Sequence, residues 1–244
     1  MEEAVAEDRI IVALDAVDPG GVDRLCRQLA GRVRTLKVGL QLFLSQGPGV
    51  VSFLREAGFD VFLDLKLHDI PHQVALACAE IVAMGAGMLT VHASGGTAML
   101  SAALDASRAA ARQRGVECPK ILGVTVLTSL EEKDLRRAGV ERPVIDQVGV
   151  LAGLALDAGL DGVVASPHEV AALRRRFGDD FIAVTPGIRP GTGEGDDQRR
   201  TATPARAIEA GASYLVVGRP ITQAADPVAA LASIEKELRE SQSC

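Results

Sequence analysis

Residues 155–166, ALDAGLDGVVAS, run from the end of an apolar, helix-spaced segment through one glycine into a short β-branched stretch. Gly159 stands where a helix terminates in a left-handed residue. The same grammar recurs in REAGFDVFLD at 55–64, VAMGAGMLTVH at 82–92 and AIEAGASYLVVG at 207–218. In each, a helix end and a glycine joint are followed by a buried strand, so the unit repeats. Working outward, eight apolar runs read as strands: 10–15, 35–39, 59–66, 88–93, 121–128, 161–166, 181–187 and 213–218. Most are continuously apolar, the mark of strands covered on both faces. Helical spacing fills the intervals at 22–33, 70–84, 98–112, 148–156, 168–177 and 227–238, and Gly58, Gly85, Gly115, Gly159, Gly178 and Gly211 suit their C-termini. The 128–148 segment is longer than a simple joint and has room for an extra short helix.

The alternation predicts an α/β fold with a parallel sheet. Eight units in 244 residues match a single-domain (β/α)8 TIM barrel, a fold of about 250 residues. A doubly wound open sheet is the alternative, but no G-x-G-x-x-G follows the first strand. No Pro- or Ser-rich linker divides the chain.

Composition excludes several functions. Apolar residues make up 48% and charged residues 24%, as in a folded globular chain. Lys plus Arg is 26 and Asp plus Glu is 32, a net charge of −6 that argues against sequence-blind nucleic-acid binding. With 3% aromatics, no Trp and a single Tyr, there is little to stack bases on. No apolar run reaches the roughly 18 residues of a membrane span. The acidic MEEAVAEDR start lacks a secretory h-region. Cys26, Cys78, Cys118 and Cys244 are scattered, the expectation for reduced thiols in a cytoplasmic protein rather than a disulfide framework or zinc ribbon.

In a barrel of this kind, chemistry sits at the C-terminal strand ends. Asp15 ends the first run, Lys37 lies in the second, and the third finishes Asp64-Leu65-Lys66 before Leu67-His68-Asp69-Ile70-Pro71. Strand alternation puts Asp64 and Lys66 on one face, towards the mouth, and Leu65 and Leu67 on the other, under the helices. One such pair is equally a structural salt bridge. Five charges at the same end of adjacent strands suggest a compensating array that holds a lysine ready to protonate a carbanion. At the other end of the chain, Thr185-Pro186-Gly187-Ile188-Arg189 and Gly218-Arg219-Pro220-Ile221 follow the last two strands, where this fold commonly binds phosphate. Residues 190–203, PGTGEGDDQRRTAT, read as a surface loop or a glycine-hinged lid. His68 and His72 have i, i+4 spacing, but Pro71 intervenes. His92 and His168 lack ligand partners, so no metal site is expected.

The stretch D-L-K-L-H-D-I-P at 64–71 resembles the D-x-K-x-x-D-I-P pattern of the orotidine 5′-phosphate decarboxylase family, in its stand-alone bacterial form. Matching segments run along the chain: ALD at 13–15, KVG at 37–39, VLTS at 126–129, TPGIRP at 185–190, GDDQRRTATP at 195–204 and VVGRPI at 216–221. The resemblance implies cofactor-free decarboxylation of orotidine 5′-monophosphate to UMP in pyrimidine biosynthesis. Lys66 would be the proton donor to C6 and Asp64 would sit by the substrate carboxylate. Asp15 would hold the ribose, and Lys37 would contact it and the charge array. Thr128 would meet the pyrimidine or its ribose. Gln198, Gly218 and Arg219 would bind phosphate, with Arg189 close by and 190–198 varying among relatives. Asp69 and Ile70 would reach the other subunit's site in a homodimer. Other readings are a Mg²⁺-dependent hexulose-phosphate synthase or keto-gulonate-phosphate decarboxylase, an epimerase, and a non-catalytic phospholigand sensor. Ile70-Pro71 and GIRP favour the nucleotide enzyme over the metal-dependent relatives. The early strands lack the ligand histidines an epimerase would want, and an intact Lys-Asp-Lys-Asp set argues against a sensor.

Overall fold

A computed structural model of the chain describes residues 9–15, 18–191 and 200–241. Eight strands, β1 (Ile10–Ala13), β2 (Thr35–Gly39), β3 (Asp60–Leu67), β4 (Met88–His92), β5 (Lys120–Val124), β6 (Gly162–Val164), β7 (Ile182–Thr185) and β8 (Tyr214–Val217), pair in chain order. All pairings are parallel. The ring closes where Ile10 lies beside Leu215, which removes the open-sheet alternative.

Alternating side chains build two cores, and this is why the strand sequences are apolar throughout. Ile11, Ala13, Phe62, Leu122, Val184 and Val216 fill the barrel interior. Their neighbours Ile10, Val12, Leu36, Val38 and Leu63 face the surrounding helices. Each fully buried Leu, Ile or Phe contributes roughly 1.5–3 kcal/mol through apolar burial. Phe62 is the largest interior side chain and fills the barrel below the charged mouth.

The expected helices are present with shifted ends. The first covers Pro19–Leu29 rather than 22–33, because the Asp18 carboxylate accepts the Gly21 N–H (2.9 Å) and starts the helix earlier. Ile70 precedes the Pro71–Met84 helix instead of belonging to it, as a residue ahead of proline is kept extended. The other four are Gly96–Arg114, Val144–Asp157, Pro167–Phe177 and Pro227–Ser241. All six glycines expected at helix ends have positive φ, Gly159 at 83°. The long joint contains the short helix Glu132–Arg137, with Glu131 and Asp134 forming a reciprocal cap. Among the described residues no helix is long and apolar enough to cross a membrane.

Candidate active site

Ala13 of β1, Lys37 of β2 and Phe62 of β3 point into the barrel, and so do residues two further on. The rim therefore receives Asp15 and Asp64, beside the inward Lys37 ammonium. Lys37 Nζ lies 2.5 Å from Asp15 and 3.4 Å from Asp64, and Lys66 Nζ lies 2.8 Å from Asp64. The four charges form one row, Asp15–Lys37–Asp64–Lys66, of alternating sign and zero sum. Gly39 makes room for it, since a Cβ there would stand 2.0 Å from Asp15 Oδ1 and 3.1 Å from Lys37 Nζ.

Asp64 and Lys66 do share the mouth, but regular alternation is not the cause. The register of β3 against β4 shifts between Leu63 and Leu67, so that Asp64, Leu65 and Lys66 all face the single Thr90. Lys66 has φ 54°, the only positive value at a non-glycine among the described residues. Such a conformation costs about 1–3 kcal/mol and persists where its surroundings over-determine it. Thr90 supplies that restraint, its hydroxyl accepting the Lys66 N–H (2.9 Å) and donating to Asp64 Oδ1 (3.0 Å). The sequence reading missed Thr90. Leu65 and Leu67 pack against the outer core, as expected.

Burial opposes charge on both Asp64 and Lys37, and the row outweighs it. Desolvation alone would raise the Asp64 pKa, yet Lys37, Lys66 and the Thr90 hydroxyl hold it below the ordinary carboxylate range. Desolvation alone would lower Lys37, yet Asp64 and Asp15 hold it above the ordinary lysine value. Lys66, with 36% of its side chain exposed, is the more open of the two cations and lines the cavity. His92 stands near Lys66 with its ring 5.4 Å from that of His68. Burial first, then His68 and Lys66, depress its pKa against the pull of Asp64.

Asp69 is outside the row. It lies exposed in the turn after β3, where its own Oδ1 accepts the Ile70 N–H (2.6 Å), and Ile70 is 63% exposed. The charged row shares the lining of a cavity of about 520 Å³ with Thr128, Gly187, Arg189, Gly218 and Arg219. Gly218 follows β8, and Arg219 opens a helix, Arg219–Thr222, with Gln223 behind it as a further lining amide not anticipated from sequence. Gln198 and residues 192–199 of the expected lid lie outside the described residues. The flanks of that segment are joined by backbone hydrogen bonds, Arg189 N–H to Ala202 O (2.9 Å) and Ala202 N–H to Gly187 O (3.2 Å). Among the described residues no three His, Cys, Asp or Glu side chains are grouped as metal ligands.

A closed barrel with acid–base groups built into its C-terminal mouth places the chain among the (β/α)8 barrel enzymes. More narrowly, it belongs to the orotidine 5′-phosphate decarboxylase / HUMPS family, whose sequence profile matches residues 8–234. It is 50% identical over 234 residues to a Moorella thermoacetica protein named orotidine 5′-phosphate decarboxylase, covering 96% of this chain and 93% of that one. A Parasynechococcus marenigrum protein of the same name is 51% identical over 227 residues, covering 93% and 92%. The crystal structure of orotidine 5′-phosphate decarboxylase from Lactobacillus acidophilus superposes with a TM-score of 0.84 at 41% identity, covering 95% of this chain and 99% of that one.

Proposed function

We propose that Lys66 is the acid that completes the decarboxylation of orotidine 5′-monophosphate to UMP, the carboxy-lyase reaction that family membership assigns to this chain. The bond from C6 to the carboxylate breaks, carbon dioxide leaves, and the electron pair stays on C6. The Lys66 ammonium stabilises that pair and gives it a proton; the amine then recovers a proton from solvent. The observation that carries the reading is the Lys66 ammonium in the open cavity, 2.8 Å from Asp64 at the end of the compensated row. Donors already fixed where charge develops need no reorganisation during the reaction. Asp64, itself held by Lys37, keeps that ammonium in place, while Asp15 and Lys37 address the ribose and Thr128 the pyrimidine side. Gly218, Arg219, Arg189 and Gln198 take the phosphate. Contacts so far from C6 put their binding energy into assembling the site.

The mechanism requires neither a metal nor an organic cofactor. Loss of orotidine-monophosphate absorbance, followed after extensive dialysis against chelator, tests this. The expected result is an unchanged rate. Activity lost on dialysis and restored by Mg²⁺ favours the metal-dependent members of the family.

The active unit in this reading is a two-fold dimer. Asp69 stands apart from its own chain's row, and Ile70 beside it exposes an apolar side chain that suits an interface. Each Asp69 and Ile70 then complete the other subunit's site. The reading also places the enzyme in the cytoplasm. In support, Cys26, Cys78 and Cys118 are free thiols, not joined in disulfides.

A further inference from the structure

Arg200 does not line the cavity, yet its side chain touches one wall and the backbone two residues on, at Ala202, is hydrogen-bonded to the other. Its Nη2 donates to the carbonyls of Leu127 (2.9 Å) and Val126 (3.3 Å), and its Nη1 to Glu169 Oε1. The Leu127 carbonyl belongs to the peptide that begins Thr128. On the other side, the Arg200–Ala202 backbone is fixed to the turn after β7 through the Ala202 bonds to Gly187 and Arg189. His168 Nε2 reaches Thr201 O (3.0 Å) and Ser166 Oγ reaches Arg200 O (3.5 Å). Glu169 is 3% exposed, and its second oxygen accepts the Ser166 N–H (2.7 Å) as the cap of the Pro167–Phe177 helix. The guanidinium is thus anchored to a helix start.

We propose that Arg200, held by Glu169, is a positioning residue that sets the peptide before Thr128 relative to the Gly187–Arg189 turn, so that the pyrimidine and phosphate walls are aligned for one substrate. The proposal rests on the roles given above to Thr128 and Arg189. Stability alone does not explain the pair. Burial keeps the Glu169 pKa raised despite Arg200 and the Ser166 N–H, and Arg200 Nε is buried with no hydrogen-bond partner among the described residues. A buried ion pair of this kind is a weak stabiliser beside well-packed apolar residues. What an apolar pair lacks is a planar fork that grips two successive carbonyls while facing a carboxylate.

The test is a double-mutant cycle on turnover of orotidine 5′-monophosphate, with thermal unfolding measured on every variant. Arg200→Lys keeps the charge opposite Glu169 but loses the fork. It is expected to fold with a near-normal Tm and to lose about 10- to 100-fold in kcat/KM, the scale of a small misplacement of reacting groups. In a Thr128→Ala background the same change should cost only about 3-fold, because coupled residues do not contribute independently. Effects that multiply, or a Thr128→Ala variant with the unaltered chain's rates, overturn the route through Thr128. An Arg200→Lys variant that fails to fold assigns the pair to folding and also overturns it. The unaltered protein separates the two levels: no turnover by it removes the substrate reading itself, whereas turnover with uncoupled variants removes only the positioning role.

Discussion

The two halves of the barrel mouth solve opposite problems. The β1–β4 half carries four charged side chains, of which Lys37 and Asp64 are nearly buried and Lys66 sits on a bulged, left-handed backbone. The strands of the β5–β8 half carry no charge at their C-terminal ends. That half offers glycines, a threonine and arginines on loops and on one four-residue helix. A proton donor must be held at a fixed distance from carboxylates in a low-dielectric setting, which favours rigid strands and mutual neutralisation. An anion with several oxygens is met well by loop N–H groups and long cationic side chains. The difference predicts that damage to the first half removes chemistry and damage to the second half removes binding.

The largest effect should follow Lys66→Ala. Its kcat is expected to fall by at least about 10³-fold, with KM little changed, because in the proposed mechanism the ammonium acts on charge that exists only near the transition state. Steady-state kinetics check this, and a near-normal kcat removes the donor assignment. Next, Arg219→Ala should raise KM by about 100-fold and also lower kcat, since phosphate contacts support assembly of the site. An effect on kcat alone breaks the division between the halves. A third test concerns Asp69. In the proposed shared-site dimer, Lys66→Ala and Asp69→Ala homodimers should both be nearly inactive, whereas co-refolded mixed dimers should recover up to about half of full activity, one site being free of both changes. Tagged mixed dimers that form and stay inactive place Asp69 in its own chain's site. A smaller loss, about tenfold in kcat, is expected for Thr90→Val, which deletes the hydroxyl that joins the Lys66 backbone to Asp64, with recovery in Thr90→Ser.

The smallest effect is on the pH dependence of stability. Asp64 has a lowered folded pKa, so its contribution is complete above the ordinary carboxylate value and is lost as pH falls through the lowered one. Lys37 has a raised folded pKa, so its contribution is complete below the ordinary lysine value and is lost as pH rises through the raised one. Unfolding free energy should show an acid edge and an alkaline edge from this pair. Asp64→Asn should shrink the acid edge; an unchanged edge means that other carboxylates dominate it.

Much of this division was readable in the sequence. Charges at the ends of apolar runs located Asp15, Lys37, Asp64 and Lys66, because a buried strand end rarely tolerates a charge without a purpose. The glycine joints located the strands, and hence the barrel. The distortion at Lys66 was not readable, since alternation presumes a regular strand and nothing in DLKLHDIP announces a left-handed lysine. Thr90 was hidden as a small polar residue within an apolar run. The Ser166…Glu169 spacing is legible as a helix cap, but its Arg200 partner is remote in sequence and only the fold brings them together. Helices Leu40–Gln46 and Arg219–Thr222 are too short for periodicity to reveal. Thr128 emerged from the family resemblance, not from any pattern in its neighbourhood.

The pairing of Ile10 with Leu215 has a consequence for how the molecule comes into being. These partners are about 200 positions apart, so their contact repays its loop entropy only when nearly the whole chain is present. During synthesis the strands bearing all four charges of the row emerge first, long before the arginine and glycine loops that face them. A ring lacking its last strands has two open sheet edges, at β1 and at the newest strand, and edges of this kind can recruit other chains. Ring closure ends that exposure in the same step that gives the substrate cavity its second wall.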